Sequence, residues 1–192
     1  GSYGFRQWQA KAGGQTGVLN WLANLSSTEL DGYRDNSEYR SDLLNSKFRY
    51  DFDETASLTV VLNAVDSPLA NDPGGLNARE AAANPRQAAP RNLLFDAGEA
   101  LDQQTVGLAF RKDFAEGREL LLRGYYQGRD FNNRLPFDVN SNGQGGAVDL
   151  QRDFAGFGAQ YGWGTGVVHR SEERLPEKVR RSQGSLYEQD LG

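Results

Sequence analysis

The feature that most limits what this chain can fold into is a period of two that stops and restarts at tight turns. In "KFRYDFDETASLTVVLN", Lys47 to Asn63, Phe48, Tyr50 and Phe52 alternate with Lys47, Arg49 and Asp51. A short polar turn follows, and Leu58, Val60 and Leu62 then alternate with Thr59, Val61 and Asn63. Successive side chains of a strand point to opposite faces, so the segment reads as a hairpin with one apolar and one polar face. The pattern recurs near residues 3–12, 18–27, 103–112, 119–129 and 153–163, and in a shorter, more charged form at 167–174, giving eight candidate strands. Alternation alone does not say whether the apolar face meets a protein core or lipid, since a soluble sandwich and a membrane barrel share it.

The connections separate the two. Tight turns, "GGQTG", "DETA", "DFAEG" and "GWGTG", alternate strictly with long polar loops at 29–42, 66–100 and 130–150, and the tail from 175 to 192 begins a fourth. An up-and-down meander with short turns at one end and long loops at the other is the pattern of outer-membrane barrels. A Greek-key sandwich has no reason to sort its loops by parity. The strands are near the 9 to 11 residues or so that a tilted strand needs to cross hydrocarbon. Tyr50, Phe52, Phe110, Phe114, Tyr161 and Trp163 fall beside the tight turns, and Tyr3, Phe5, Tyr126 and Phe154 lie toward the other ends, as two interfacial girdles would. The expected fold is therefore all-β, an antiparallel up-and-down transmembrane β-barrel, with Phe48, Tyr50 and Phe52 toward lipid and Lys47, Arg49 and Asp51 toward a wet lumen.

Composition narrows the function classes. The chain is 38% apolar and no apolar run exceeds three residues, which excludes a transmembrane helix. There is no cysteine and one histidine, His169, so thiolate and histidine metal sites are ruled out. Ser171 near His169 has no third orienting group, "SEER" and "DETA" lack calcium-loop spacing, and "GQGG" lacks the lysine of a phosphate loop. No catalytic residue, metal ligand or cofactor is expected, and the chain is not read as an enzyme. A net charge of -5 argues against a nucleic-acid partner. A lipocalin-like interior would be apolar, whereas the inward set here includes Gln9, Lys11, Asn20, Asn24, Lys47, Arg49, Arg123 and Gln127.

Four segments in order, "GSYGFRQWQAKAGG", "DGYRDNSEYR", "LNAVDSPLANDPGGL" running into "NPRQAAP", and "GYYQGRDFNNRLPF", resemble the early barrel of TonB-dependent outer-membrane receptors, the siderophore transporters of Gram-negative bacteria. The resemblance covers roughly residues 1–163. It implies part of a 22-stranded barrel closed around a plug domain that is absent from this chain. It also implies placement in the outer membrane against lipid and lipopolysaccharide, capture of a ferric siderophore or related chelate, and import driven by the TonB complex acting through the plug. The alternative is a small eight-stranded outer-membrane barrel serving as an anchor or adhesin, whose mark would be pairing of the first strand with the eighth.

In the resembled family the ligand is met by extracellular loops carrying aromatic and basic side chains. The corresponding candidates are Tyr33, Arg34, Arg86, Arg91, Arg129, Arg134 and Phe137, all in or beside the long loops. Arginine suits the task because its planar fork can donate two hydrogen bonds to a carboxylate or catecholate pair. The same arginines could instead pair with Asp35, Asp96 or Asp130 and hold the loops together.

Overall fold

A computed structural model describes residues 1–137, 147–163, 167–174 and 178–182. The strands are β1 (Arg6–Thr16), β2 (Leu19–Leu30), β3 (Tyr39–Asp53), β4 (Ala56–Asn71), β5 (Gly98–Phe114), β6 (Arg118–Arg134), β7 (Ala147–Trp163), β8 (Val167–Arg174) and β9 (Lys178–Ser182). They form one antiparallel sheet in sequence order from β1 to β8, and β9 pairs with β7 beyond β8. The all-β meander read from the alternation is thus present. Among the described residues β1 pairs with β2 alone, and β8 and β9 pair with β7 alone, so both edges are open. The first-to-eighth pairing that would mark a closed eight-stranded barrel is not among these contacts.

Register sorts the side chains by face. One row of directly opposed residues runs Trp21, Phe48, Val60, Leu108, Gly124 and Phe157. Toward the tight turns, the next row contains Leu19, Tyr50, Leu58, Phe110 and Leu122. On the long-loop side follow the rows of Leu62, Val106 and Tyr126, then of Leu25, Leu44 and Ala64. This face has no protein covering: Leu108 is 48% exposed, Phe157 53% and Trp8 56%, and the only buried apolar residues among those described are Ala56, Ala88 and Ala97. The opposite face carries a row of Lys11, Asn24, Asn45, Asn63, Thr105 and Gln127. A sheet this sharply divided, with no core on either side, leaves its apolar face to be buried by something other than the described residues.

The apolar face ends abruptly toward the long loops. Its next row is Asp42, Asp66, Asp102 and Asp130, opposed on four consecutive strands and all exposed. Like charges directly opposite one another destabilise a sheet slightly, which is tolerable only where water screens them. Toward the tight turns the face ends in aromatics: Tyr50 and Phe52 meet edge-on at 5.0 Å, and Phe52 and Phe110 at 6.3 Å. From Phe52 to Leu44 the belt spans eight residue steps, about 27 Å along the strand at ~3.4 Å per residue and about 21 Å tall at a tilt of ~40°.

Several expectations are corrected. Strands β3 to β7 are 15 to 17 residues long rather than 9 to 11. The first long loop accordingly shrinks from 29–42 to 31–38, and the second from 66–100 to 72–97. Beyond the Asp row polar and apolar residues are mixed on both faces, so the ladder continues where alternation no longer reveals it. Strand β1 runs on through Gly13 and Gly14, expected as a turn. A Cβ on Gly13 would stand 3.0 Å from the Trp21 carbonyl oxygen, so the missing side chain lets the two strands approach. The turn is instead Gly17–Val18, with Gly17 at φ +58, a conformation that suits glycine. Register puts Phe154 opposite Gln127, on the polar rather than the girdle face. The tail, expected to be loop, contains β9.

The second long loop also holds two short helices, α1 (Ala78–Ala83) and α2 (Pro90–Leu94), which alternation did not show. Asn77 caps α1 by accepting from the Arg79 and Glu80 amides, and Glu80 accepts from the Asn77 amide, a reciprocal capping box. Asn77→Ala should remove about 1 kcal/mol from α1 and speed amide exchange of Arg79 and Glu80 about fivefold, while β4 amides stay as protected as before. Unchanged exchange would mean that the surrounding loop, not the cap, holds this turn.

Candidate ligand-binding loops and the polar face

The two long loops described in full are joined to each other by side chains that donate to backbone carbonyls. Arg34, in the first loop, donates from Nε to the Gln87 carbonyl at 2.9 Å, from Nη1 to Gly74 at 2.6 Å and from Nη2 to Pro73 at 3.0 Å, all in the second loop. Asn36 stands at φ 54 and gives its amide to the carbonyls of Asp72 and Ala97. From the other side the buried Asn92 donates to both the carbonyl and the carboxylate of Asp72. A loop carbonyl withdrawn from water needs a donor, and a guanidinium or primary amide can serve more than one.

Arg86 completes this cluster. Its Nε donates to the Tyr33 carbonyl at 3.3 Å, its guanidinium lies 5.7 Å from the centroid of the Tyr33 ring, and that ring meets Tyr3 edge-on at 5.2 Å. Tyr33, Arg34 and Arg86 are thereby brought together, with Tyr33 still partly open to solvent at 42%. No protein-family model matches the chain.

The remaining candidates lie elsewhere. Arg134 is occupied at the base of the second loop: it donates to the Asp96 carbonyl at 2.7 Å and to Asn71 Oδ1 at 3.1 Å, and its Nε is 3.4 Å from the Asp96 carboxylate. Arg91 is exposed on α2, and Phe137 is exposed just beyond β6; neither side chain has a partner among the described residues. Arg129 is on the polar face of β6, opposite Gln103 and, in register, Arg152. Its guanidinium lies 5.2 Å from the centroid of the Phe131 ring, and its Nε is shielded from solvent with no hydrogen-bond partner.

Of the five arginines singled out by sequence, Arg34, Arg86 and Arg134 are thus braces between backbone segments, and Arg91 and Arg129 have donor capacity to spare. A shielded N–H with no acceptor is costly, so Arg129 gains from any anion that reaches it. The braces Asn36 and Asn92 were not singled out from sequence. Asparagine in a loop is too common to point to a partner sixty-one or twenty positions away.

Proposed function

We propose that this chain forms part of the wall of an outer-membrane transport barrel of the TonB-dependent receptor kind, importing a ferric siderophore or similar metal chelate without catalysing its conversion. The observation that carries this reading is the apolar belt: an uncovered, mostly apolar face, interrupted at Ser46 and Gln104, of height close to the roughly 25 Å band of such barrels and bounded by aromatics on one side and a row of aspartates on the other. Strands hydrogen-bonded to their neighbours satisfy the backbone within lipid, and the polar face would then line water. The braced loops 31–38 and 72–97 stand at the end of the sheet where such receptors meet their ligands. Arg91 and Arg129 offer guanidinium groups to an anionic chelate, the second backed by Phe131.

The test is uptake of radiolabelled ferric chelate by cells expressing the protein. Arg91→Ala together with Arg129→Ala should lower uptake at least tenfold while the amount of protein in the outer membrane stays the same. Undiminished uptake would remove both residues from the ligand path.

A further inference from the structure

The polar face contains a hollow apart from the loops. It measures about 330 Å³ and lies over β1 to β4, with Leu22 and Val61 among its lining and Lys11, Lys47, Asn24, Asn45 and Asn63 around them. No carboxylate lines it. Of the acids described on this face, those toward the tight turns are already matched, Asp51 with Arg49 at 2.7 Å and Asp113 and Glu119 with Arg111 at 3.1 and 2.8 Å, and Glu99 stands at the long-loop end of β5, away from the hollow. Lys11 and Lys47 make no ion pair or hydrogen bond among the described residues. Within the hollow, Asn24 accepts from Gln9 at 2.7 Å, which leaves the Asn24 amide N–H groups to donate elsewhere, and Asn45 and Asn63 are uncommitted.

We infer that this hollow is a binding station for a small polycarboxylate. Register places Lys11 in the row of Asn24, Asn45 and Asn63, and Lys47 one row away on β3. The two lysine backbones are therefore two strands and one row apart, about 10 Å across the sheet and about 7 Å along it, at ~4.8 Å per strand and ~3.4 Å per residue. Two flexible four-carbon stems can close on a ligand bearing more than one negative group from that distance, whereas a single compact anion would meet one ammonium at a time. The amide N–H groups between them supply neutral donors for the remaining carboxylate oxygens, and Leu22 and Val61 offer apolar surface to the carbon backbone of the ligand. Because nothing acidic lines the hollow, a polyanion entering it displaces no existing ion pair.

This inference rests on the reading that the polar face meets water while the apolar face meets lipid, so one sample should report on both. The complete barrel to which this chain contributes its strands, with every tryptophan other than Trp8 and Trp21 replaced by phenylalanine, is reconstituted into phosphatidylcholine vesicles containing brominated lipid. Quenching of tryptophan fluorescence reports on Trp8 and Trp21 at the apolar face, and calorimetric titration with tricarballylate reports on the hollow. Tricarballylate carries three carboxylates and no hydroxyl, so it follows the anion chemistry without an iron chelate. Quenching should be strong, binding saturable and weakened by salt, and Lys11→Gln with Lys47→Gln should weaken it at least tenfold, with Lys11→Arg and Lys47→Arg restoring most of it. Strong quenching with no saturable binding, or with binding the same in the glutamine double variant, would overturn the station and leave the membrane reading intact. Absence of quenching would overturn both.

Discussion

Val60→Arg is expected to cost about 2 to 4 kcal/mol and to impair assembly into lipid vesicles, whereas Thr59→Arg is expected to fold nearly as well as the parent chain. Val60 stands opposite Phe48 on β3 and Leu108 on β5, between the rows of Leu58 and Leu62, so an arginine there is surrounded on every side by the apolar belt. The belt runs from Phe52 to Leu44, and the row of Phe48 and Val60 is its middle one. A charge placed there has little opportunity to reach water along its own stem. Thr59 points to the polar face, opposite Arg49 and Ala109. The new guanidinium would oppose Arg49, a like-charge pair across a strand worth about 0.2 to 1 kcal/mol of destabilisation. The Arg49–Asp51 contact at 2.7 Å softens even that. Urea midpoints in vesicles, read by the gel mobility of folded against unfolded protein, give both numbers. Loss of folding in Thr59→Arg with Val60→Arg tolerated would mean that the faces are reversed. Tolerance of both would mean that the apolar face is not against lipid.

How much of this was legible in the sequence depends on hydropathic contrast. From Lys47 to Phe52 and from Ser57 to Val60 each residue differs sharply from its neighbours, and both the strands and their faces follow from that difference. Past Asp66 the residues Ser67 and Asn71 on β4, and Glu99 on β5, still belong to the ladder, yet polar and apolar residues are mixed on both faces there and the period of two carries no signal. At the long-loop end the strands therefore run several residues past the point where alternation stops. The sheet also shifts register between Arg40 and Asp42 and between Ser67 and Ala70, which breaks strict alternation just where the loops begin. The α1 start was readable in principle from Asn77 and Glu80, three apart, although six residues is too short for helical periodicity to show. The candidate site was legible by residue type only. Tyr33, Arg34 and Arg86 do cluster, but the partners of Arg34 are 39 to 53 positions away along the chain, and nothing local distinguishes it from Arg91, whose side chain has no partner among the described residues.

Arg34→Ala should release the second long loop while leaving the sheet in place. The guanidinium makes hydrogen bonds to the carbonyls of Pro73, Gly74 and Gln87, and it is half-buried, so removal leaves these acceptors short of a donor that alanine cannot replace. Hydrogen bonds to a charged group contribute about 1.5 to 3 kcal/mol each, and such contributions do not add fully where one side chain makes them all; about 3 kcal/mol for the loop is a reasonable sum. At about 1.4 kcal/mol per tenfold, amides in 72–97 should exchange on the order of a hundredfold faster. The remaining ties, Asn36 to Asp72 and Ala97 and the Asp35 amide to the Arg86 carbonyl at 2.8 Å, keep the loop from detaching altogether. Arg34→Lys should recover less than half of the protection, because one ammonium cannot match the spread of a planar fork across segments 73–74 and 87. Exchange in β3 and β4 should not change, since their ladder does not use Arg34. Unaltered protection of 72–97 would show that the Asn36 and Asn92 braces suffice by themselves. If chelate uptake falls in Arg34→Ala in proportion to loop opening and is restored as far as Arg34→Lys restores protection, Arg34 acts by shaping the loops; a loss of uptake with 72–97 still protected would place its guanidinium on the ligand.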